Sequence, residues 1–257
     1  MNSLLSGFCV AFSMYSFIPM PQLTWDKKTM RYALCFLPFV GVLIGACQYL
    51  WFLFCTHFEA NTLFYAIGAT LLPVLISGGI HLDGLTDTSD ALGSHSEPER
   101  RLEIMKDPHV GAFGVLGMVV FLMCETALFA QLYETPNYLF LALCGFTLAR
   151  IVGGRAIVSL TCAKNTGLAY IFAENSEKER TKHAMLFELI AAFLALAVIS
   201  RSIWVIISIA AVILWCIGHA RLCQKRFGGI TGDLAGFLIS TTELLLLLIA
   251  VIGGLCA

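Results

Sequence analysis

Long apolar runs alternate with shorter polar segments along the whole chain. Seven of these runs are 17 to 24 residues long, enough for an α-helix to cross the hydrocarbon core of a bilayer. An eighth run, residues 3–19, is at the lower length limit and ends at Pro19 and Pro21. It is either a short span or a helix that lies on the membrane or re-enters it. The seven predicted spans cover about residues 34–56, 62–80, 112–133, 138–161, 184–200, 203–219 and 235–256.

Composition assigns the chain to the integral membrane proteins. Hydrophobic residues make up 58% of its 257 positions and charged residues 13%, whereas soluble domains have about 50% and 25%. We therefore predict an all-α, polytopic membrane helical bundle of about seven transmembrane helices plus a short N-terminal membrane-associated helix. One domain over residues 1–257 accounts for this length. The N-terminus lacks the basic region of a signal peptide, so we expect no cleavage.

Two further classes of partner are disfavoured by the composition. No basic tract or aromatic-interleaved patch suggests nucleic acid. The ten cysteines are scattered, mostly through apolar runs, without the spacing of a zinc site. We interpret them as small packing residues.

Basic residues in the loops predict the orientation in the membrane. Thirteen of the sixteen Lys and Arg residues fall in the predicted loops 20–33, 81–111, 162–183 and 220–234, which lie on one side of the bundle. The opposite side has only Arg201. The positive-inside rule makes the basic side cytoplasmic and the C-terminus external. Because all the long loops lie on that side, we expect an active site at the cytoplasmic face of the cytoplasmic (inner) membrane.

Three aspartates follow the second predicted span at helical spacing. Asp83, Asp87 and Asp90 lie within roughly 60° of one another on a helix. Like charges on one stripe repel, so a compensating cation is expected. Oxygen-only ligands indicate a hard ion such as Mg²⁺, which proteins hold with one or two carboxylates plus substrate phosphates. A solvated acidic helix start is the alternative.

Two neighbouring segments add candidate site residues. His81 lies on a different face from the stripe and is either a base or a hydrogen-bonded structural residue. A short polar helix is predicted from an N-cap at Ser96 to about Lys106. Asp107, at the Lys106-Asp107-Pro108 break, is a candidate fourth oxygen ligand or an anchor for a phosphate-binding loop.

Four basic side chains, Lys106, Arg150, Arg155 and Lys225, are candidates for phosphate contacts because of their charge and placement. Arg150 and Arg155 lie inside an apolar run, where charges are functional hypotheses by default. Snorkelling or an ion pair with Glu125 is the alternative. Lys225 precedes a Gly-Gly-Ile-Thr-Gly-Asp segment in which Thr231 and Asp233 could complete a phosphate nest. Lys225 also fits an ordinary positive-inside cluster, and Glu125 and Glu243 fit either helix–helix partners or site residues.

Together these residue types predict a phosphoryl-transfer site. Carboxylates would hold Mg²⁺ against a diphosphate while Arg and Lys neutralise the developing charge. The residue types alone do not identify the substrate.

Three motifs resemble those of the cobalamin synthase (adenosylcobinamide-GDP ribazoletransferase) family. GGIHLDGLTDTSD, residues 78–90, resembles the family's G-G-x-H-L-D-G-L-A-D-T-x-D. IMKDPHVG, residues 104–111, is similar to I-M-[RK]-D-x-x-x-G, and GGITGD, residues 228–233, to G-G-x-T-G-D. Glu243 stands where the family's last helix has an acid. The departures are Thr86 for Ala, Ala91 where Gly is common, and His109 in a variable position.

The resemblance covers essentially the whole chain and implies a reaction. A hydroxyl of α-ribazole or its 5′-phosphate attacks the phosphate attached to adenosylcobinamide in its GDP derivative. GMP leaves, and adenosylcobalamin or its 5′-phosphate is formed. Mg²⁺ is the implied cofactor, and Asp83, Asp87 and Asp90 would bind the metal and the diphosphate, with Asp107 and Asp233 completing the polar site. One of these carboxylates acting as the general base is the alternative. Besides these substrates and the lipid bilayer, a homo-oligomer or a complex with other cobalamin-assembly enzymes stays open.

Three rival functions share part of the pattern. A CDP-alcohol phosphotransferase uses similar chemistry, but its leading Asp and its A-R pair are missing here. A ubiquinone-type prenyltransferase has two N/D-x-x-D motifs, whereas this chain matches one, at Asp87 and Asp90. A transporter would place carboxylates near the bilayer midplane and show an inverted repeat, and neither is evident.

Overall fold

The computed structural model describes residues 2–257, which form eleven α-helices and one short 3₁₀ helix, Pro136–Tyr138. The only strand-like pairing in this range is an isolated bridge between Cys162 and Ile230. The α-helices are α1 (Ser3–Tyr15), α2 (Ala33–His57), α3 (Thr62–Ser77), α4 (Ile80–Gly93), α5 (Pro98–Ile104), α6 (Ala112–Glu134), α7 (Leu139–Ser159), α8 (Leu168–Asn175), α9 (Lys178–Ser200), α10 (Ile203–Phe227) and α11 (Gly232–Leu255).

The predicted membrane bundle is confirmed. Six helical segments within residues 2–257 are long and apolar enough to cross a membrane: α2, α6, α7 with its preceding 3₁₀ turn, α9, α10 and α11. A seventh span results if the bent pair of α3 and α4 is counted. α7 and α11 are mostly buried inside the bundle, whereas α6, α9 and α10 present most of their apolar surface outward. Such outward apolar faces suit contact with lipid.

The second predicted span ends earlier than its apolar pattern suggested. α3 stops at Ser77 because Gly78 and Gly79 both adopt left-handed backbone conformations, with φ of +68° and +73°. The chain then turns by 98° into α4. Because α4 has three aspartates in 14 residues, we assign it to the membrane face and not to a span.

The N-terminal run forms a helix of 13 residues, α1. At 1.5 Å per residue it is about 20 Å long, too short to cross a hydrocarbon core of about 30 Å. It packs closely on the start of α2, since a Cβ at Gly7 would lie 3.1 Å from the backbone of Tyr32. α1 is therefore the short membrane-associated helix that the sequence predicts.

Some helices extend beyond the ends of their apolar runs, where the helix continues into water. α9 begins at Lys178, before the predicted residue 184, and α10 continues to Phe227, beyond residue 219. Apolar runs mark the lipid-buried part of a helix, and its polar ends remain helical outside it. α5 is capped at Glu97 and not at Ser96, and α8 is an additional helix inside the predicted 162–183 loop.

Candidate active site

A cavity of about 340 Å³ opens among the connections on one side of the bundle. The cavity wall comes from seven places in the chain: the end of α1, the start of α2, the start of α4, the segment after α5, the end of α7, the loop and helix after α7, and the start of α11 with the loop before it. Five of the predicted site residues line it: His81, Asp83, Lys106, Thr231 and Asp233.

Two glycines let α4 and α11 approach within backbone contact. A Cβ at Gly84 would lie 2.6 Å from the carbonyl oxygen of Asp233, and one at Gly236 would lie 3.2 Å from the carbonyl oxygen of His81. Distances this short leave no room for a side chain at Gly84. The close crossing brings Asp83 of α4 and Asp233 of α11 to the same cavity.

The aspartates of α4 and α11 form one electrostatic cluster. Burial, followed by the negative charges of Asp83, Asp233 and Asp90, raises the pKa of Asp87 to about 7. Asp90 is also fixed to the start of α6, because its carboxylate accepts a hydrogen bond from the Gly114 amide at 3.2 Å. The predicted stripe therefore exists, and it faces a fourth aspartate from a distant part of the sequence.

The cluster does not form a complete metal site from protein side chains alone. Over residues 2–257, no three His, Cys, Asp or Glu side chains converge closely enough to hold one ion together. The donor chemistry still suits Mg²⁺, because its typical sites use one or two carboxylates with phosphate oxygens supplying further ligands. The residues fit a metal that is shared with a phosphate-bearing substrate.

Lys164 is a cavity residue that the sequence analysis counted only as a loop charge. Its ammonium donates to the Leu102 carbonyl at 2.8 Å and lines the cavity together with Lys106. Burial, then the positive charge of Lys106, lowers the pKa of Lys164. Two like charges held together here would be relieved by a phosphate. The sequence indicated a role for Lys164 only through its position in a basic loop, and thirteen Lys and Arg residues lie in such loops.

His81 is buried beside the aspartates. Its ring stacks on Tyr15 of α1 with centroids 5.8 Å apart, and Nε2 has no hydrogen-bond partner among the described residues. Burial, then the positive charge of Arg150, holds the pKa of His81 well below its usual range. The imidazole is therefore neutral and has unused hydrogen-bonding capacity.

Asp107 lies outside the cavity wall. It is exposed, and its carboxylate accepts hydrogen bonds from the His109 amide at 2.9 Å and from His109 Nδ1 at 2.8 Å. These bonds shape the turn that leads into α6. The two roles suggested for Asp107, a fourth oxygen ligand or an anchor for a phosphate-binding loop, stay predictions. Its position in this turn fits the role of a loop anchor.

The two arginines of α7 are engaged away from the cavity. Arg150 pairs with Glu243 of α11 and donates to the Phe146 carbonyl at 2.8 Å, with only 1% of its side chain exposed. The partner is thus Glu243 and not Glu125. Arg155 donates to the Lys182 carbonyl at 2.6 Å. The structure does not bring either arginine to the cavity wall.

The loop before α11 closes the cavity. The Thr231 hydroxyl caps α11 by accepting from the Leu234 amide at 3.2 Å. Preceding it, Ile230 pairs with the segment after α7, where its amide donates to the Thr161 carbonyl at 2.8 Å. Lys225, one turn before the end of α10, is exposed and does not line the cavity.

Comparison with known proteins agrees over nearly the whole chain. A family model described as cobalamin-5-phosphate synthase matches residues 7–251. An adenosylcobinamide-GDP ribazoletransferase of Lachnoclostridium phytofermentans is 35% identical over 94% of this chain and 91% of its own length. Relatives of the same name from a Geobacillus species and Clostridium perfringens are 32% and 31% identical, over 95% and 90% of this chain and 94% and 91% of their own lengths. No solved structure matches the chain.

The matched region contains every residue that lines the cavity, together with the three sequence motifs. Relatives above 30% identity cover nine-tenths or more of the chain. This chain belongs to the cobalamin-5-phosphate synthase family.

Proposed function

We propose that this protein is an Mg²⁺-dependent adenosylcobinamide-GDP ribazoletransferase. Its family and the names of its relatives support this activity. The structural observation that carries the proposal is the cavity edge where Asp83 and Asp233 face Lys106 and Lys164. A bound diphosphate requires a cation, which the carboxylates of this edge can hold. It also requires positive groups to neutralise its own charge, and the two ammonium groups supply them.

The aspartates of the cluster would hold the metal. Asp83 and Asp233 reach the cavity directly, while Asp87 and Asp90 lie on the following turns of α4. Burial and then the neighbouring negative charges raise the pKa of Asp87, and a cation bound among these aspartates would relieve their repulsion. Bound there, Mg²⁺ would act as a Lewis acid on the phosphate oxygens.

The transfer forms a new phosphate ester bond and breaks the phosphoanhydride bond of the diphosphate. A hydroxyl oxygen of α-ribazole, or of its 5′-phosphate, bonds to the phosphorus attached to adenosylcobinamide. The bond from that phosphorus to the bridging oxygen breaks, and GMP leaves with the bridging oxygen. The hydroxyl proton passes to a carboxylate of the aspartate cluster. Lys106 and Lys164 hold the phosphates in place and offset the charge on the leaving group.

We place the site at the cytoplasmic face of the cytoplasmic (inner) membrane. The connections that line the cavity belong to the side with thirteen of the sixteen basic residues, which supports this orientation. In this orientation the exposed C-terminal Cys256 lies outside. A cysteine-free background that retains only Cys256 should react with an impermeant thiol reagent added to intact cells. Labelling only after permeabilisation would contradict the orientation.

Reconstituted protein tests the activity. Liposomes with purified protein receive adenosylcobinamide-GDP, α-ribazole and Mg²⁺, and GMP release is followed together with cobalamin formation. We expect product only with both substrates and metal. Asp83→Asn should lower kcat by roughly 100-fold, because it removes one cavity carboxylate. The matched control Glu99→Gln, an exposed acid of α5 outside the cavity wall, should change kcat by no more than about twofold.

The same assay distinguishes the proposed activity from the closest rival function. Folded wild-type protein that makes no cobalamin but turns over a CDP-alcohol would be a CDP-alcohol phosphotransferase, and the ribazole assignment would be wrong. Equal losses in Asp83→Asn and Glu99→Gln would show that the lost activity does not come from the cavity carboxylate.

A further inference from the structure

Another cavity lies at the opposite end of α1 from the active-site cavity. Its volume is about 380 Å³, within the range of ligand pockets. Tyr15, the last residue of α1, lines the active-site cavity, whereas Ser3, its first residue, lines this one. The other lining residues come from the linker before α2 and from the junction of α8 and α9: Lys27, Lys28, Arg31, Asn175, Ser176 and Glu177. The two cavities have no lining residue in common.

The lining of this basic cavity is positively charged. Lys27, Lys28 and Arg31 contribute three cations against the one carboxylate of Glu177, which leaves a net charge of +2. Arg31 already uses that carboxylate, because its Nε donates to Glu177 Oε2 at 2.7 Å. Lys27 and Lys28 are exposed, and neither forms an ion pair with a carboxylate of residues 2–257. The basic cavity therefore has two ammonium groups that an anion would neutralise.

The acid next to the two lysines is bonded to the backbone. The Asp26 carboxylate accepts hydrogen bonds from the amides of Lys28 and Thr29, at 2.8 Å and 2.9 Å. Asp26 does not line the basic cavity. Its carboxylate thus shapes the turn that presents the lysines and leaves their ammonium groups without a paired acid.

One buried polar group in the lining also lacks a partner. Ser176 is 8% exposed, and its Oγ forms no hydrogen bond within residues 2–257. Leaving a buried hydroxyl unpaired is unfavourable, and an oxygen of a ligand in the basic cavity would satisfy it. Ser176 directly precedes Glu177, the N-cap of α9, whose side chain makes no capping hydrogen bond. The free amides of that first turn add positive potential beside the hydroxyl.

The basic cavity lies where the chain enters the membrane. α2 is a candidate span, and it begins at Ala33, two residues after Arg31. Basic side chains this close to a span lie level with the headgroup phosphates. Leu4 and Leu5, which follow Ser3 in α1, are 52% and 53% exposed. Cations beside exposed leucines make a surface that suits an anionic headgroup attached to acyl chains.

We propose that the basic cavity binds the headgroup of an anionic phospholipid, such as phosphatidylglycerol. Its phosphate contacts Lys27 and Lys28 and accepts a hydrogen bond from Ser176 Oγ, while its acyl chains lie along Leu4 and Leu5. A soluble phosphate would neutralise the same charge but would leave the leucines exposed to water. This site is separate from the active-site cavity and does not rest on the proposed function.

Native mass spectrometry of the full chain in a neutral detergent tests the site without any turnover. Phosphatidylglycerol and phosphatidylcholine with identical acyl chains are titrated separately. We expect one phosphatidylglycerol per chain, bound at least about tenfold more tightly than phosphatidylcholine, whose headgroup has its own cation and no net charge. Equal affinity for the two lipids would overturn the proposal.

Competition with soluble phosphates distinguishes the two sources of a phosphate group. Inorganic phosphate and glycerol 3-phosphate are added to the complex with phosphatidylglycerol. Because they have no acyl chains to bury, they should displace the lipid only at about 100-fold excess or more. Displacement at an equal concentration would show that the basic cavity binds a soluble phosphate compound and would reject the lipid.

A matched pair of double variants locates the binding site. Lys27→Gln/Lys28→Gln removes the two unpaired cations of the basic cavity. Arg221→Gln/Arg226→Gln removes two exposed cations of α10 that line neither cavity. The lysine variant should bind phosphatidylglycerol about 25-fold more weakly, roughly fivefold for each lysine, and the arginine variant within about twofold of wild type. Equal losses would mean that only the overall charge of the chain attracts the lipid, and no specific site would remain.

Ser176→Ala separates a contact with the ligand from a structural role. Without lipid its thermal unfolding temperature should equal or exceed that of wild type, because the substitution removes an unpaired buried hydroxyl. Its affinity for phosphatidylglycerol should nevertheless fall about three- to tenfold, through the loss of one hydrogen bond. A lower unfolding temperature together with unchanged lipid affinity would show that the hydroxyl serves the fold and would contradict its assignment to the headgroup.

Discussion

The closest helix crossing in the site is at Gly84, and adding one methyl group there should disable the enzyme. In Gly84→Ala the new Cβ would lie 2.6 Å from the Asp233 carbonyl oxygen and 2.9 Å from its Cα. Both neighbours are backbone atoms at the start of α11, so no side chain can rotate away. The strain has to be relieved by moving α4 away from α11.

The size of that movement follows from the contact distance. Ordinary van der Waals contact begins near 3.4 Å, so the shortfall is 3.4 − 2.6 = 0.8 Å. Moving α4 by this amount displaces Asp83 from Asp233 across the proposed metal and phosphate site. A displacement near 1 Å costs about 100-fold in rate. Overpacking should also lower the free energy of unfolding by about 1–3 kcal/mol.

Gly218→Ala is the matched control. Gly218 is also inside a helix, α10, but a Cβ there would meet no atom within 4 Å. We expect wild-type kcat and a gain in stability of up to about 1 kcal/mol from the better helix propensity of alanine. Both variants are assayed for GMP release at saturating substrates and for thermal unfolding in detergent. Gly84→Ala with wild-type kcat would refute the claim that the α4–α11 crossing sets the catalytic geometry.

Two other groups of charged residues give one prediction about stability and one about substrate binding. Glu243→Gln should lower the free energy of unfolding by about 3–5 kcal/mol, since it leaves the buried Arg150 guanidinium unpaired. Arg150→Met should lower the free energy of unfolding by less, because the remaining Glu243 carboxyl can take up a proton. Equal losses of stability in thermal unfolding in detergent would show that the unpaired charge is not the cause. Because the pKa of Lys164 is lowered, Lys164 loses its proton at lower pH than an ordinary lysine, and the KM for adenosylcobinamide-GDP should begin to rise there. Lys106→Gln removes the neighbouring positive charge, so it should raise the pKa of Lys164 and move the rise in KM to higher pH. A rise in KM at the same or a lower pH in the variant would show that Lys106 does not lower the pKa of Lys164.

The spans and the aspartate stripe could be predicted because both depend on local spacing. Apolar length identifies a transmembrane helix, and i, i+4, i+7 spacing sets Asp83, Asp87 and Asp90 on one face, whatever the tertiary structure. The break after Ser77 was harder to place. The glycine pair indicated it, but the apolar pattern continued to Ile80, and only the left-handed backbone at Gly78 and Gly79 fixes where the helix ends.

Residues that act through distant partners could not be assigned from the sequence. Arg150 looked like a phosphate ligand because it is a charge in an apolar run, and its actual partner, Glu243, lies 93 positions away. Lys164 looked like one basic loop residue among many until the fold set it beside Lys106. The short helix α8 was also missed, because its eight residues are too few to give a clear periodic pattern.

The 98° turn after α3 determines how far from the lipid the reaction takes place. If α3 and α4 were one straight helix, their 16 and 14 residues plus the two glycines would extend about 48 Å, and Asp87 and Asp90 would stand beyond a hydrocarbon core of about 30 Å. Because α4 turns by 98°, its three aspartates instead stay near the level at which α3 ends. With the site at the proposed membrane face, a substrate adsorbed to that surface would reach it by diffusing in two dimensions, and its product would be released into the same layer.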